Sequence, residues 1–327
     1  KSNLVPKIAG QLFNIPYYSA HARSVIYYPE PHLYHEAIKN EYMSYPSLFK
    51  SLDKKSQKEG LSWAKKRLDL RMSGNIGVDM SYSTKSAFTE IDYENTIVKD
   101  PSEINVLICT HEFYDSPNCY GGLLFTDFYE WLIYLSKLSK KTNYNWYVKT
   151  HPDAHHSSVD IIKSIVSENE NFCLVPKNTS FKQLAYEGMD FALTCYGTIG
   201  HELPLLGIQV INAGVSPRVA YDFNYHPKSL DEYKGLLMNL PIEKKLNIKK
   251  LYEFYFIQHK YVHSTDDFIF DSYEKSLSEL SDSQRIGFEV FTYFLKSLTK
   301  KKHNNIISKI EKFIDSGKIG VATKNDF

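Results

Sequence analysis

Five short apolar runs between residues 104 and 214, separated by amphipathic segments, constrain the fold of this sequence more than any other feature. The runs are INVLICT (104–110), NWYVKT (145–150), FCLVP (172–176), FALTCY (191–196) and QVINAG (209–214). Most are apolar on both faces, as expected of strands in a parallel sheet that helices cover on both sides. The sequence therefore predicts an α/β fold with a doubly wound parallel sheet, whose ligands bind at the carboxyl ends of the strands.

The segments between the runs have the pattern of amphipathic helices. The segment 126–141 begins with the capping pair Thr126-Asp127, places its apolar residues on one face and ends in lysines. The segment 180–188 repeats this pattern and closes on Gly188, a typical residue after a helix C-terminus. Strands and helices therefore alternate, as a doubly wound sheet requires.

Composition excludes several classes of protein. Lys and Arg number 39 and Asp and Glu 38, so the chain lacks the overall basic charge that nucleic-acid binding normally requires. No apolar run approaches the roughly 18 residues of a membrane span, and the four cysteines lack CxxC spacing. We therefore expect a cytoplasmic protein with reduced cysteines and no nucleic-acid partner, which binds any anion locally.

Polar residues at the end of the second run are candidate ligand-binding groups. This strand delivers Lys149 to the carboxyl edge of the sheet, and His151, Pro152 and Asp153 follow it. Pro152 disfavours helical geometry at His151, which holds the imidazole outward. A polar loop without any ligand is equally compatible with this stretch. His155 lies nearby, but no third-ligand spacing follows, so no metal site is predicted.

The fourth run ends in TCYGTIGHE, which brings Tyr196, Gly197, Thr198, His201 and Glu202 to the same edge. A helix that begins near Thr198 would offer free backbone N–H groups and a positive dipole end to a phosphate. Glu202, in the first turn, could accept hydrogen bonds from ribose hydroxyls. Alternatively, Thr198 is only an N-cap and Glu202 only a first-turn acid.

VKTHPD, followed by CYGTIGHELPLLGIQVINAG, resembles the nucleotide-binding half of GT-B glycosyltransferases that build bacterial capsule and lipopolysaccharide. The two stretches are similar to those of sialyl- and Kdo-transferases, whose HP motif and small-hydroxyl motif contact the phosphate of a nucleotide sugar, often CMP-linked. The resemblance implies this role for His151, Pro152 and Thr198. The paired serines of that family are replaced here by Tyr196-Gly197-Thr198.

The resemblance implies a division into three parts. Residues 1–100 would form a smaller N-terminal α/β domain on the acceptor side, 101–245 a Rossmann-like nucleotide-sugar-binding domain, and 246–327 a helical segment that packs across the interface. Because the first part is short for such a domain, we expect it to be incomplete and the chain to be a module of a larger one. Within it, Arg71 and Asp79 are among the candidates to face the nucleotide, and Asp79 or His21 is a candidate catalytic base.

Further candidates follow the first and the last run. His111, Glu112 and Asp115 could include a general base toward an acceptor hydroxyl, or contact the donor sugar, or have a structural role. Arg218 could neutralise a diphosphate or a sugar carboxylate because its planar fork fits both, or it could form a surface ion pair.

The sequence therefore predicts a metal-independent GT-B glycosyltransferase without a cofactor. It would transfer a sugar from a nucleotide-activated donor, with CMP-Kdo as the first hypothesis, to a capsule or lipopolysaccharide glycan. The lysines at 300–302 end a solvated helix or support peripheral contact with the inner face of the cytoplasmic membrane. Two alternatives stay open: a CDP-polyol phosphotransferase of teichoic-acid-like capsule polymers, and a non-catalytic glycan-binding module.

Overall fold

The computed structural model describes two compact units of the chain. The described residues are 4–20, 24–30, 34–78, 85–115, 122–262, 292, 295–296, 299–317 and 320–323. One unit comprises Lys1–Glu41 and Ile257–Phe327, and the other comprises Tyr42–Phe256. The expected functional domains, with boundaries near 100 and 245, stay a prediction.

The elements alternate between helices and strands over most of the larger unit. The helices are α1 (Leu4–Phe13), α2 (Tyr34–Ser51), α3 (Lys54–Met72), α4 (Phe128–Ser139), α5 (His156–Ser167), α6 (Phe181–Tyr186), α7 (Ile199–Glu202), α8 (Leu230–Met238), α9 (Ile248–Phe256) and α10 (Lys300–Asp315), with a 3-10 helix (Leu203–Leu206) and a π-helix (Ile257–Val262). The strands are β1 (Tyr17–Ala20), β2 (Ser24–Tyr28), β3 (Asn105–Cys109), β4 (Asn145–Lys149), β5 (Phe172–Leu174), β6 (Phe191–Thr194), β7 (Gln209–Asn212), β8 (Asn224–Tyr225) and β9 (Gly320–Thr323).

The larger unit contains a six-stranded sheet with the order β5-β4-β3-β6-β7-β8, in which every neighbouring pair is parallel. Val106 of β3 is aligned with Trp146 of β4 on one side and with Phe191 of β6 on the other. The chain builds outward from β3 to β5, then returns to build outward from β6 to β8. This reversal confirms the predicted α/β fold with a doubly wound sheet, the sheet type of a GT-B-like fold, and places the topological switch between β3 and β6.

Alternate strand residues bury the two faces of this sheet. One set packs against α4, α5 and α8, and the other packs against α6 and the segment 85–98. The first set includes Val106, Ile108, Trp146, Val148 and Leu193, and the second includes Leu107, Tyr147, Ala192 and Val210. The double burial explains why the strands read as continuous apolar runs.

Local signals in the sequence set the ends of several helices. The carboxylate of Asp127 accepts a hydrogen bond from the backbone N–H of Glu130, as the predicted cap of α4 requires. Gly188 follows α6 with a φ of 100°, a left-handed conformation that a residue with a side chain rarely adopts. These two helix ends agree with the sequence prediction.

Residues 85–98 contain neither helix nor strand, yet the segment is part of the core. Phe88 and Val98 are buried against the second face of the sheet. The carboxylate of Glu187 accepts the N–H groups of Ile97 and Val98, both at 2.8 Å, and the Ser180 hydroxyl donates to the carbonyl of Thr89. The side chains of the two residues that flank α6 thus form hydrogen bonds with backbone groups of this segment, which in a strand would be paired with a neighbouring strand.

The smaller unit contains an antiparallel sheet with the order β1-β2-β9. Tyr18 and Tyr27 stack across its first pair with ring centroids 4.5 Å apart, and Phe313 of α10 meets Tyr18 edge to face. The side chains of the lysines at 300–302 lie outside the described residues, as does much of the predicted helical segment 246–327. Among helices formed by the described residues, none has the length and apolar character of a membrane span.

The buried hydrogen bond from Trp131 to Tyr233 provides a test of the core on the α4 side. The indole N–H donates to the Tyr233 hydroxyl at 3.0 Å, and both side chains are fully buried. Because Tyr233→Phe leaves this N–H without an acceptor, we expect the free energy of unfolding to fall by about 1–3 kcal/mol. Urea titration followed by tryptophan fluorescence measures the change.

Tyr129→Phe is the matched control, since Tyr129 also lies on α4 but is exposed. The control should change the free energy of unfolding by less than about 0.5 kcal/mol. An equal effect of the two substitutions would contradict the role of the buried hydrogen bond.

Candidate functional site

A cavity of about 300 Å³ opens at the carboxyl ends of β3, β4 and β6. Its wall also includes the C-terminal end of α3 and residues of the irregular segment 85–98. The cavity therefore lies at the topological switch between β3 and β6, where doubly wound sheets bind their ligands.

Most of the predicted site residues meet at this cavity. Those that line it are His111, Glu112, Asp115, Lys149, His151, Pro152, Asp153, Tyr196, Gly197, Thr198 and Glu202. His201 and Arg218 do not line it. Asp79 and His21 lie outside the described residues.

Lys149 is the most unusual group in the wall. Its side chain is only 3% exposed, and its ammonium donates to the backbone carbonyl of Lys177 at 3.1 Å. No carboxylate among the described residues forms an ion pair with it. Burial lowers the pKa of Lys149 to about 8, although Cys109 acts in the opposite direction. A buried cation without a counter-ion is costly, which makes it a strong anion-binding group.

His151 presents a hydrogen-bond donor to the cavity. Its Nδ1 accepts the backbone N–H of Asp153 at 3.1 Å, so the neutral ring carries its proton on Nε2. Desolvation lowers the pKa of His151 below its ordinary value, against the opposing effect of nearby carboxylates such as Asp153. A neutral imidazole at neutral pH can therefore donate from Nε2 to an anionic ligand.

The turn after β6 differs from the predicted helix N-terminus. Helix α7 is a single turn, and Thr198 makes no capping hydrogen bond with its side chain. The N–H groups of Gly200 and His201 donate to the carbonyls of Gly197 and Thr198. Two of the N–H groups that the predicted helix N-terminus would offer to a phosphate are therefore already engaged, and the phosphate site stays a prediction. The Thr198 side chain nevertheless lines the cavity.

Gly197 allows a close approach within this turn. Its N–H donates to the hydroxyl of Thr194 at 3.0 Å, and a Cβ at position 197 would lie 2.8 Å from that oxygen. The Thr194 hydroxyl is also 2.9 Å from Nε2 of His111. Glycine is therefore required here because a Cβ would collide with the Thr194 hydroxyl that forms the hydrogen bonds of the turn, and not because of a positive φ.

The contacts of His111 are those of a buried residue that supports the structure. Its ring stacks on Phe128 with centroids 4.5 Å apart, and its Nε2 accepts the backbone N–H of Cys195 at 3.2 Å. Burial, together with the positive neighbours His151 and Arg218, lowers the pKa of His111 to about 3. His111 therefore stays neutral, with an Nε2 that joins the ends of β3 and β6 and is not available as a base.

Glu112, in the loop after β3, binds the end of the loop after β4 and the start of α5. Its carboxylate accepts hydrogen bonds from the hydroxyl of Ser158 and from the backbone N–H groups of His155, at 2.7 Å, and Tyr114. Burial raises the pKa of Glu112, but these hydrogen bonds outweigh that effect and hold the pKa below its ordinary value. A carboxylate so stabilised in its ionised form is a weak base, and its contacts indicate that it positions the loop of His151.

Glu202 pairs with Arg71 instead of facing the cavity alone. Its Oε1 accepts a hydrogen bond from Nε of Arg71, and the side chains are 2% and 13% exposed respectively. Both residues line the cavity. The role in ribose binding inferred for Glu202 from the resemblance stays a prediction, since one of its carboxylate oxygens is already engaged.

Arg218 and His201 lie behind the turn after β6. Arg218 donates to the carbonyl of Tyr196 at 2.8 Å, and a Cβ at Gly200 would lie 2.4 Å from its Nε. His201 packs against the rings of Phe254 and Tyr255. Both residues therefore support the turn from within, whereas the sequence analysis placed them at the ligand.

Several residues of the cavity wall were not predicted from the sequence. Phe88 and Phe181 line the cavity but carry no signal beyond that of ordinary core residues. Thr194, a polar residue at the end of an apolar strand, could have been identified by the same rule that selected Lys149.

A metal site was not expected, and the structure gives no reason to add one. Within the described ranges, no three His, Cys, Asp or Glu side chains are placed to hold a metal ion. Metal independence itself stays a prediction.

Comparisons with known proteins give little further information. No protein-family model and no curated protein sequence matches this chain. The structure is similar to that of KpsC from Thermosulfurimonas dismutans, a beta Kdo 2,4 transferase, with a TM-score of 0.42 and 14% sequence identity. The similarity covers 75% of this chain and 73% of that one. Similarity at this level does not indicate a shared function, so any functional proposal must rest on the geometry of the site.

The tether made by Glu112 can be tested by its dependence on pH. Because Glu112→Gln places an amide against N–H and O–H donors, we expect the free energy of unfolding at pH 7 to fall by about 1 kcal/mol. The lowered pKa stabilises the fold above the pKa of the unfolded chain, near 4.3, and this contribution disappears as the pH falls through the folded pKa. The difference between wild type and variant should therefore shrink at acid pH.

Thermal denaturation from pH 7 to pH 3 measures this difference. Glu170→Gln is the control, since Glu170 is exposed. A wild-type advantage that is independent of pH would rule out the ionised tether.

Proposed function

We propose that this protein is a glycosyltransferase that binds the phosphate of a nucleotide-activated sugar in the cavity at the carboxyl ends of β3, β4 and β6. The sugar is transferred to a bacterial capsule or lipopolysaccharide glycan, and a CMP-linked donor such as CMP-Kdo is the first candidate. The nucleotide and the acceptor follow from the resemblance of VKTHPD and CYGTIGHE to HP-motif transferases. KpsC is described as a Kdo transferase, but the proposal rests on the site.

The buried ammonium of Lys149 is the observation that carries the proposal. Burial of a charge without a counter-ion costs free energy, and the lowered pKa of Lys149 reflects that cost. An anion in the cavity would offset the cost and favour the charged form. The protein thus maintains a group that is unfavourable in the empty cavity and favourable when an anion is bound.

Two further donors support a phosphate as that anion. His151 and Thr198 both line the cavity, and the neutral ring of His151 carries its proton on Nε2, where it can donate. Together with Lys149, they would neutralise a leaving phosphate by fixed hydrogen bonds and one charge, without a bound metal. In the transfer, an acceptor oxygen would bond to the anomeric carbon as the bond from that carbon to the phosphate oxygen breaks.

The acceptor hydroxyl must lose its proton in this step, and Asp115 is a candidate base. It lines the cavity and is exposed, so an acceptor could reach it. Glu112 and His111 are weaker candidates because hydrogen bonds engage both side chains. Hydrogen bonds also lower the pKa of Glu112, and burial lowers the pKa of His111 to about 3. Asp79 stays a second candidate base, proposed from the resemblance alone. The cytoplasmic location and the peripheral membrane contact also stay proposals.

Substitution of Lys149 tests the phosphate site. Lys149→Met keeps the shape of the side chain but removes its charge, so we expect the ligand-free variant to be at least as stable as the wild type. Nucleotide binding should be lost. A thermal-shift screen against CMP, CDP, UDP, GDP and ADP, with their common sugar conjugates, measures both effects.

The pH dependence and a control sharpen this test. Wild-type affinity for the nucleotide should weaken as the pH rises above about 8, because Lys149 then loses its proton. Lys163→Met on the exposed side of α5 should bind like the wild type. Binding that survives Lys149→Met would contradict the proposal, and absence of any nucleotide binding would favour a non-catalytic glycan-binding module. A phosphodiester in the product would favour the polyol phosphotransferase.

A further inference from the structure

Arg71 is a second cation in the wall of the cavity, separate from Lys149. The Lys149 ammonium lies 5.5 Å from the centroid of the Phe181 ring, and the Arg71 guanidinium lies 5.8 Å from that of Phe88. The two rings pack against each other with centroids 5.7 Å apart, and both line the cavity. The two cations therefore contact different rings of one aromatic pair and form two distinct points on the wall.

Glu202 determines the orientation of the Arg71 guanidinium in the cavity wall. The carboxylate engages Nε, which fixes the plane of the guanidinium and leaves its two terminal amino groups. These amino groups donate no hydrogen bond to any described residue. An arginine in this arrangement presents a fork of directed donors, which suits the oxygens of a phosphate or a carboxylate.

The charges around this point favour a role through directed hydrogen bonds. Glu202 balances the charge of Arg71, and Glu112, Asp115 and Asp153 also line the cavity. The lining contains three cations, Arg71, Lys85 and Lys149, against these four carboxylates, so it has no net positive charge. Selection would then depend on the geometry of the fork, which matches the paired oxygens of a phosphate or a carboxylate.

We infer that Arg71, positioned by Glu202, is a second anion-binding group, and that the ligand carries a second anionic group besides the phosphate at Lys149. This group is either a second phosphate, as in a nucleoside diphosphate sugar, or the carboxylate of an acidic sugar on a nucleoside monophosphate. The inference rests on the proposed function and narrows its donor class. It assigns Glu202 a positioning role.

Isothermal titration of the full chain tests the inference with ligands that differ in their second anion. The ligands are a nucleoside monophosphate, the corresponding diphosphate, and monophosphate conjugates of an acidic and a neutral sugar. With Arg71→Met, affinity for the monophosphate should change by less than about twofold. Affinity for the ligand with the correct second anion should fall by about 10- to 100-fold, the usual effect of losing a charge-assisted hydrogen bond.

Two further variants separate positioning from folding. Arg71→Met leaves Glu202 buried without its partner, so the double variant Arg71→Met/Glu202→Gln removes both charges and keeps the measurement possible if the single variant unfolds. Glu202→Gln alone retains Arg71 but loosens its orientation. It should weaken binding of the second anion and spare the monophosphate, a selective effect that a merely structural role would not produce.

The control is Lys66→Met, an exposed position on α3 that should leave all affinities unchanged. Loss confined to the diphosphate identifies the second phosphate, and loss confined to the acidic conjugate identifies the carboxylate. If nucleotides bind through Lys149 but Arg71→Met affects all ligands equally, or none, the inference is overturned while the proposed function stands. If the wild type binds no nucleotide, both fail.

Discussion

Burial of both faces of the six-stranded sheet determines where this protein can place its polar side chains. Because helices and the segment 85–98 cover the two faces, side chains in the middle of β3, β4, β6 and β7 must be apolar or fully paired. Polar groups that face a ligand can lie only at the strand ends. The parallel arrangement brings the carboxyl ends to one edge, and the switch between β3 and β6 opens a gap there. The cavity follows from these constraints before any individual residue is considered.

The groups in this cavity are divided between supporting residues and ligand-facing ones. His111 and Glu112 use their hydrogen bonds within the protein to join strand ends and loops. Lys149 lacks an ionic partner among the described residues and is held by one carbonyl. These hydrogen bonds hold the loop residues that they join, which lowers the cost of ordering those residues when a ligand binds. The supporting groups and Lys149 thus have different environments, although neighbouring strand ends supply them.

The sequence was sufficient to predict five of the six strands, because apolar runs and capping residues are local signals that the backbone obeys wherever both faces are buried. The two-residue strand β8 was not predicted. The strand-end rule also selected Lys149 and His151 correctly as lining residues. It failed where pairing depends on packing between distant segments: Arg71 and Glu202 are separated by 131 positions, and only the fold brings them together. It also placed Arg218 at the ligand, since nothing in the sequence shows that Gly200 leaves space for its guanidinium.

The irregular segment 85–98 gives the cavity a wall with properties that differ from those of the sheet. Side chains of Glu187 and Ser180 hold its backbone in place of a strand ladder. Such a segment has no strand register to maintain. A change of its side chains at the cavity, such as that of Phe88, would alter the shape and polarity of one wall without changing the backbone hydrogen bonds between the strands that form the opposite wall.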